Sequence, residues 1–167
     1  MSQHLISRRL EIDAGHRVPD HGSKCKNLHG HRYVVECLCS GPLAEAGVEN
    51  GMVLDFGFLK AEMAAVIDER HDHGLTLFAW DEQLEAHMTP PELAAAQADV
   101  ALYGSWTGKG RFGNKITLME SVPTAENLAA FWFDQLEPRV HALTDGRARV
   151  VQIKVWETPN CWASYPA

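Results

Sequence analysis

Three histidines and a cysteine near the amino terminus have the spacing to build a metal site. His29 and His31 flank Gly30, and in an extended strand residues two apart point to the same side with backbones about 6 to 7 Å apart. Both imidazoles can therefore reach one ion. Gly30 adds no bulk between them, and His16, closing an earlier strand-like run, is placed to supply a third nitrogen. Three neutral nitrogens with a fourth position free is the arrangement of catalytic zinc, whereas structural zinc fills all four positions with protein ligands. A chain with nine histidines also produces His-x-His by chance, so the neighbouring residues carry weight. Cys25 stands four residues before His29. It has two competing roles: a fourth ligand that would close the site, or a thiol held beside the metal as base or nucleophile. Lys24 and Lys26 flank it with positive charge, and spacing alone leaves both roles open.

The elements that must position these groups are readable from periodicity. Residues 5–16 alternate, with Ile6, Leu10, Ile12, Ala14 and His16 on one parity, and residues 29–39 again read as extended, so the two segments form a long antiparallel pair. Phe56, Leu59, Met63, Val66 and Ile67 recur at helical spacing over 56–70 after Asp55, and Gly74 marks the exit. A second helix begins at Pro123-Thr124, capped by Thr124, with Leu128, Phe131, Trp132 and Leu136 as its buried stripe and Pro138 as its stop. Between them the pattern predicts a short Ala-rich helix over 90–103, a flexible loop from Gly104 to Gly113 and a strand over Lys115–Glu120. Val150–Glu157 makes the final strand, with Val151, Ile153, Val155 and Glu157 on one face. A carboxylate ending an apolar row needs a partner. Two helices on one face of four antiparallel strands is an α+β layer fold whose other sheet face is free to meet a second subunit.

Other chemistry-bearing residues have bland readings beside functional ones. Glu157 can be a solvated strand end, and Asp72 and His73, within His71-Asp72-His73, a solvated helix exit. Glu126 reads as a first-turn carboxylate favoured by the helix dipole rather than a catalytic group. Cys37 and Cys39 share a strand face and read as core or interface residues, and Cys161 as a buried thiol.

Bulk properties narrow the classes. The 167 residues, 46% of them apolar, fit one compact domain with its own core. A net charge of −7, with no dense Lys/Arg cluster, argues against a general nucleic-acid or membrane-surface binder. No stretch approaches the ~20 apolar residues of a membrane span. The Met-Ser-Gln-His start lacks a secretory signal, so a reduced cytoplasmic setting is expected. There is no Gly-x-Gly-x-x-Gly fingerprint, Gly108-Lys109-Gly110 is not a phosphate loop by itself, and a zinc hydrolase is disfavoured because no His-Glu-x-x-His helix occurs.

Taken together, Ala14-Gly15-His16, Cys25-Lys26-Asn27-Leu28-His29-Gly30-His31, Leu54-Asp55-Phe56 with Leu59-Lys60, Asp72-His73, Pro123-Thr124-Ala125-Glu126-Asn127-Leu128 and Val155-Trp156-Glu157-Thr158 resemble the 6-pyruvoyltetrahydropterin synthase family. Within it they are most similar to the bacterial 6-carboxytetrahydropterin synthases of queuosine biosynthesis. The pieces stand in family order across nearly the whole chain. The resemblance implies Zn2+ on His16, His29 and His31, Cys25 as catalytic thiol, Asp72 and His73 as its proton-relay partners, and Glu157 with Thr158 at the pterin. It implies the tunnelling fold, with sheets of several subunits joined into a barrel, and a homohexamer. The three-residue gap between Cys25 and His29 resembles the carboxytetrahydropterin branch.

The implied substrate is 7,8-dihydroneopterin triphosphate, and Lys24, Lys26, Arg17 and Arg32 are the nearest candidates in sequence for its triphosphate. Two departures stand out: the family's x-x-Leu-Asn after Asp-His is replaced by Gly74-Leu75-Thr76-Leu77, and the segment 81–113 is longer than in typical bacterial members. Ile12 stands where an aromatic is frequent, which reads as a packing change. The alternatives are 6-pyruvoyltetrahydropterin synthase activity, which retains the three-carbon side chain, and a non-catalytic, zinc-stabilised assembly protein.

Overall fold

The computed structural model describes residues 2–167. Its spine is an antiparallel pair, β1 (His4–His16) and β2 (His29–Gly41), in unbroken register from His4↔Gly41 to His16↔His29. Strand alternation sends Ile12, Ala14 and His16 to the same side as Tyr33, Val35, Cys37 and Cys39, and all seven are buried.

The sheet has seven strands rather than four, and it is mixed rather than antiparallel. β3 (Gly74–Phe78) joins β1 in parallel, β5 (Lys115–Met119) joins β3 in parallel, and β4 (Ser105–Lys109) pairs antiparallel with β5. At the opposite edge β6 (Arg149–Thr158) pairs with β2 and β7 (Cys161–Tyr165) with β6, giving the order β4-β5-β3-β1-β2-β6-β7. The three extra strands are five residues each, too short to show a period. β4 was hidden among Gly104, Gly108 and Gly110, which made its composition that of a loop.

On β6 the register passes from Leu38↔Gln152 to Cys39↔Val150. Val151 is thus the extra residue of a bulge, and Val150 takes the buried position that parity assigned to Val151.

Asp55 caps α1 (Phe56–Met63), accepting from the Gly57 N–H at 2.6 Å. This helix runs through a π-helical turn, Ala64–Asp68, into a last short turn, α2 (Glu69–His71). α3 (Pro90–Tyr103) has a Thr89/Glu92 capping box, and α4 (Ala125–Leu143) starts at Thr124, whose hydroxyl accepts from the Asn127 N–H at 3.3 Å. Pro138 does not stop α4. It removes one N–H donor, but Leu136 and Val140 on either side are fully buried, and that packing outweighs the one hydrogen bond forgone.

α1 and α4 cover one face, where Leu59, Met63, Ile67, Leu128, Trp132 and Leu136 meet Tyr33, Val35, Ile153 and Val155. α3 covers the opposite face at the β3–β5–β4 end, where Ala96 and Val100 meet Leu77, Ile116 and Leu118. Among the described residues no helix is long and apolar enough to cross a membrane.

Candidate metal centre and adjoining pocket

His16 and His29 are direct partners in the β1/β2 register, and Ala14 lies opposite His31. All three rings therefore gather at one end of the strand pair on its inner face, with small Ala14 leaving room. Their ligand atoms lie within 4.8 Å of one another. The ring centroids are 4.5, 5.2 and 5.0 Å apart for His16–His29, His16–His31 and His29–His31.

The hydrogen bonds of these rings fix what they offer. His16 Nδ1 lies 2.7 Å from the Pro123 carbonyl oxygen and His29 Nδ1 lies 2.8 Å from that of Asn27. A carbonyl can only accept, so each Nδ1 carries the proton and each Nε2 presents a lone pair. His16 Nε2 and His31 Nε2 are buried without a hydrogen-bond partner among the described residues, a costly state for polar atoms unless something binds them. Burial lowers the pKa of both His16 and His31, against the upward pull of Pro123 on His16 and of Glu157 on both. Two imidazoles thus held toward the neutral form, converging with a third, fit a divalent ion with a taste for nitrogen.

The same end of the sheet carries further groups. Cys25, on a short 3₁₀ turn (Lys24–Lys26), is half-buried. The carbonyl of Cys25 accepts from the Val18 N–H at 2.9 Å, which folds the 18–25 loop back onto the end of β1. Cys25, His16 and Glu157 share the wall of a pocket of about 350 Å³ with Glu126, Cys161 and Trp162. Glu157 Oε1 lies 3.4 Å from His31 Nε2.

Asp72 and His73 form a pair, with His73 Nδ1 2.7 Å from Asp72 Oδ2. Burial pushes the Asp72 carboxyl upward, but the Asp13 N–H at 2.8 Å and His73, with Lys115 adding its charge, bring it below the ordinary Asp value. His73 sits at φ 52, its N–H on the Asp13 carbonyl at 2.7 Å. The pair is held against β1 and does not line the Cys25 pocket of its own chain. Thr158 does not line it either: its hydroxyl accepts from the Asn160 N–H in the β6–β7 turn.

Of the cations expected near a triphosphate, Lys24 and Lys26 are exposed beside Cys25. Arg17 is instead buried against Asp81, and Arg32 is held by both oxygens of Asp13. Both arginines already have carboxylate partners, which makes them poor anion sites. Cys161 is exposed rather than buried, because it opens the short edge strand β7.

Three features went unseen in the sequence. Pro123 holds His16 from 107 residues away, Glu126, read from the sequence only as a first-turn carboxylate, stands in the pocket wall, and the ring of Tyr33, whose buried hydroxyl has no partner among the described residues, lies 5.8 and 5.6 Å from those of His16 and His31. The alternation of Tyr33 with His29 and His31 was the available signal for the last.

The family described as 6-pyruvoyl tetrahydropterin synthase matches residues 5–167. The chain belongs to this family. Among its relatives, a 6-carboxy-5,6,7,8-tetrahydropterin synthase of Rickettsia bellii is 33% identical over 156 residues, covering 93% of this chain and 95% of the relative. One of Haemophilus influenzae is 29% identical over 160 residues, covering 96% of each. An uncharacterized protein of Wolinella succinogenes has a similar structure, with a TM-score of 0.74 at 20% identity over 98% of both chains. The 6-pyruvoyl tetrahydropterin synthase of Caenorhabditis elegans superposes with a TM-score of 0.60 at 22% identity, over 100% of this chain and 97% of that one. These neighbours show that the α+β fold of this family member is the tunnelling fold.

Proposed function

We propose that the chain is a zinc-dependent 6-carboxy-5,6,7,8-tetrahydropterin synthase. It converts 7,8-dihydroneopterin triphosphate and one water to 6-carboxy-5,6,7,8-tetrahydropterin, acetaldehyde and triphosphate, a carbon-carbon lyase step of queuosine biosynthesis. The observation that carries this reading is the convergence of three imidazoles beside a pocket that also holds Cys25 and Glu157. The names of the Rickettsia bellii and Haemophilus influenzae relatives, both 6-carboxy-5,6,7,8-tetrahydropterin synthases, support the choice of product.

His16, His29 and His31 would hold the zinc. When bound, the ion supplies Lewis acidity toward a side-chain hydroxyl of the substrate. Glu157 accepts parallel hydrogen bonds from the amino and ring N–H groups of the pterin, which orients the ring and gives the half-buried carboxylate its partner. Cys25 accepts a proton from the substrate side chain, and His73, oriented by Asp72, exchanges protons with the reacting centre. No external hydride donor is required because the pterin ring is reduced internally.

A single domain carries this site, with 81–113 as an elaboration of it. Since Asp72 and His73 lie outside the Cys25 pocket of their own chain, they reach it from a neighbouring copy in a homohexamer. The short edge strands β4 and β7 leave ladder groups free for joining sheets. Four free thiols fit a reducing cytoplasm.

The test is to incubate zinc-loaded protein with 7,8-dihydroneopterin triphosphate and identify the pterin and carbon fragments by mass. Carboxytetrahydropterin with acetaldehyde is expected. A product retaining the three-carbon side chain would assign the pyruvoyl activity instead, and no turnover would point to an assembly protein.

A further inference from the structure

The 81–113 segment touches the metal end of the sheet through one buried ion pair. Arg17 Nη1 lies 2.9 Å from Asp81 Oδ1, and the side chains are only 6% and 1% exposed. Arg17 directly follows His16 at the end of β1, and directly precedes Val18, whose N–H is bonded to the Cys25 carbonyl at 2.9 Å. Whatever fixes Arg17 therefore fixes the exit of β1 in two directions, toward a histidine of the cluster and toward the loop bearing the thiol.

Asp81 is itself well held. The same Oδ1 accepts from the Gln83 N–H at 2.9 Å, capping the 3₁₀ turn Glu82–Ala86. Two residues earlier, the Ala79 carbonyl accepts from Gln97 of α3 at 2.7 Å. Leu84, Met88, Ala96 and Val100 bury a small core of their own against β3 and β5. The pair is chemically incomplete, since Arg17 Nε and Asp81 Oδ2 are buried with no partner among the described residues. A contact retained at that cost is weakly explained by stability alone, because an apolar pair of similar volume stabilises as well. It is better explained by the direction it imposes.

We infer that Asp81 is a positioning residue, which acts through Arg17 to set His16 and the Cys25 loop, so that the 81–113 segment is a buttress of the metal site. The inference rests on His16 being a metal ligand.

The experiment compares purified full-length wild type with Asp81→Asn and Asp81→Glu. It measures zinc affinity by competition with a chromophoric chelator, the alkylation rate of Cys25 by peptide mass, and the thermal midpoint of the metal-free proteins. Asp81→Asn is expected to bind zinc about tenfold more weakly, in the range that supporting contacts to metal ligands reach, and to change the Cys25 alkylation rate severalfold. Asp81→Glu, which keeps the charge, should recover part of both. A folded Asp81→Asn protein that binds zinc within twofold of wild type and alkylates at the wild-type rate, whatever its thermal midpoint, overturns the inference. Should Asp81→Asn not fold, Asp81→Ser, which removes the charge but keeps a side-chain oxygen to cap the Glu82–Ala86 turn, decides in the same way. A wild-type protein that fails to compete for zinc would remove the metal-site reading itself, a distinct outcome.

Discussion

His31 and Glu157 face each other across the ends of β2 and β6, Nε2 to Oε1 at 3.4 Å, without hydrogen-bond geometry between them. The contact puts a carboxylate beside the histidine cluster and at the wall of the pocket at once. If Glu157 serves the pterin, Glu157→Gln keeps the ion and loses one charge-assisted acceptor. The loss of about 1.5–3 kcal/mol corresponds to a rise in KM of roughly 10- to 150-fold, with zinc content unchanged. Loss of zinc in this variant would instead put Glu157 in the metal site.

Cys25 and His73 belong to different neighbourhoods of one chain, so if they cooperate as proposed, they do so between copies in an assembly. Cys25→Ala and His73→Ala should each retain zinc and lose about 10²–10⁴-fold in kcat. Unfolding the two variants together and refolding them as a mixture should restore a fraction of wild-type activity, because some pockets then receive an intact thiol from one chain and an intact Asp72–His73 pair from another. Absence of any recovery in correctly assembled mixed oligomers would place the whole reaction within one chain.

The residue behind that pair makes the fold sensitive to acid. His71 is 1% exposed. Its Nε2 accepts from Trp132 Nε1 at 3.2 Å, which leaves Nδ1 to donate to the Thr76 hydroxyl at 2.9 Å. Burial, reinforced by the charges of Arg70 and Lys115, pushes its pKa from 6.5 down to about 3. The unfolded chain takes up this proton below pH 6.5 while the folded chain stays neutral. Stability is thus full above pH 6.5 and falls as the pH drops toward 3, by up to about 5 kcal/mol from this group. Urea midpoints should show a steeper acid decline for wild type than for His71→Leu, although the variant is weaker at pH 7 because Trp132 loses its acceptor. Parallel curves between pH 6.5 and 4 would contradict the assignment.

Much of the histidine cluster was legible because it depends on parity alone. Two-residue spacing and alternation placed His16, His29 and His31 on one face, and a long ladder carried that parity without a slip. What failed were features set by tertiary context. Pro138 reads as a stop until Leu136 and Val140 are seen to be buried around it, and Val151 reads as inward until the bulge opposite Cys39 shifts the register. Arg17 looks like an anion site from its neighbours in sequence, yet its partner Asp81 is 64 residues away. The Pro123 carbonyl that orients His16 is a backbone group, and no residue type announces it.

The coordination of the ion itself tests the central claim most directly. Zinc K-edge absorption spectroscopy of the purified protein should show one zinc per chain with three nitrogen scatterers at about 2.0–2.1 Å and one further light atom from solvent. A sulfur scatterer at about 2.3 Å, or protein atoms at all four positions of the resting site, would contradict the account.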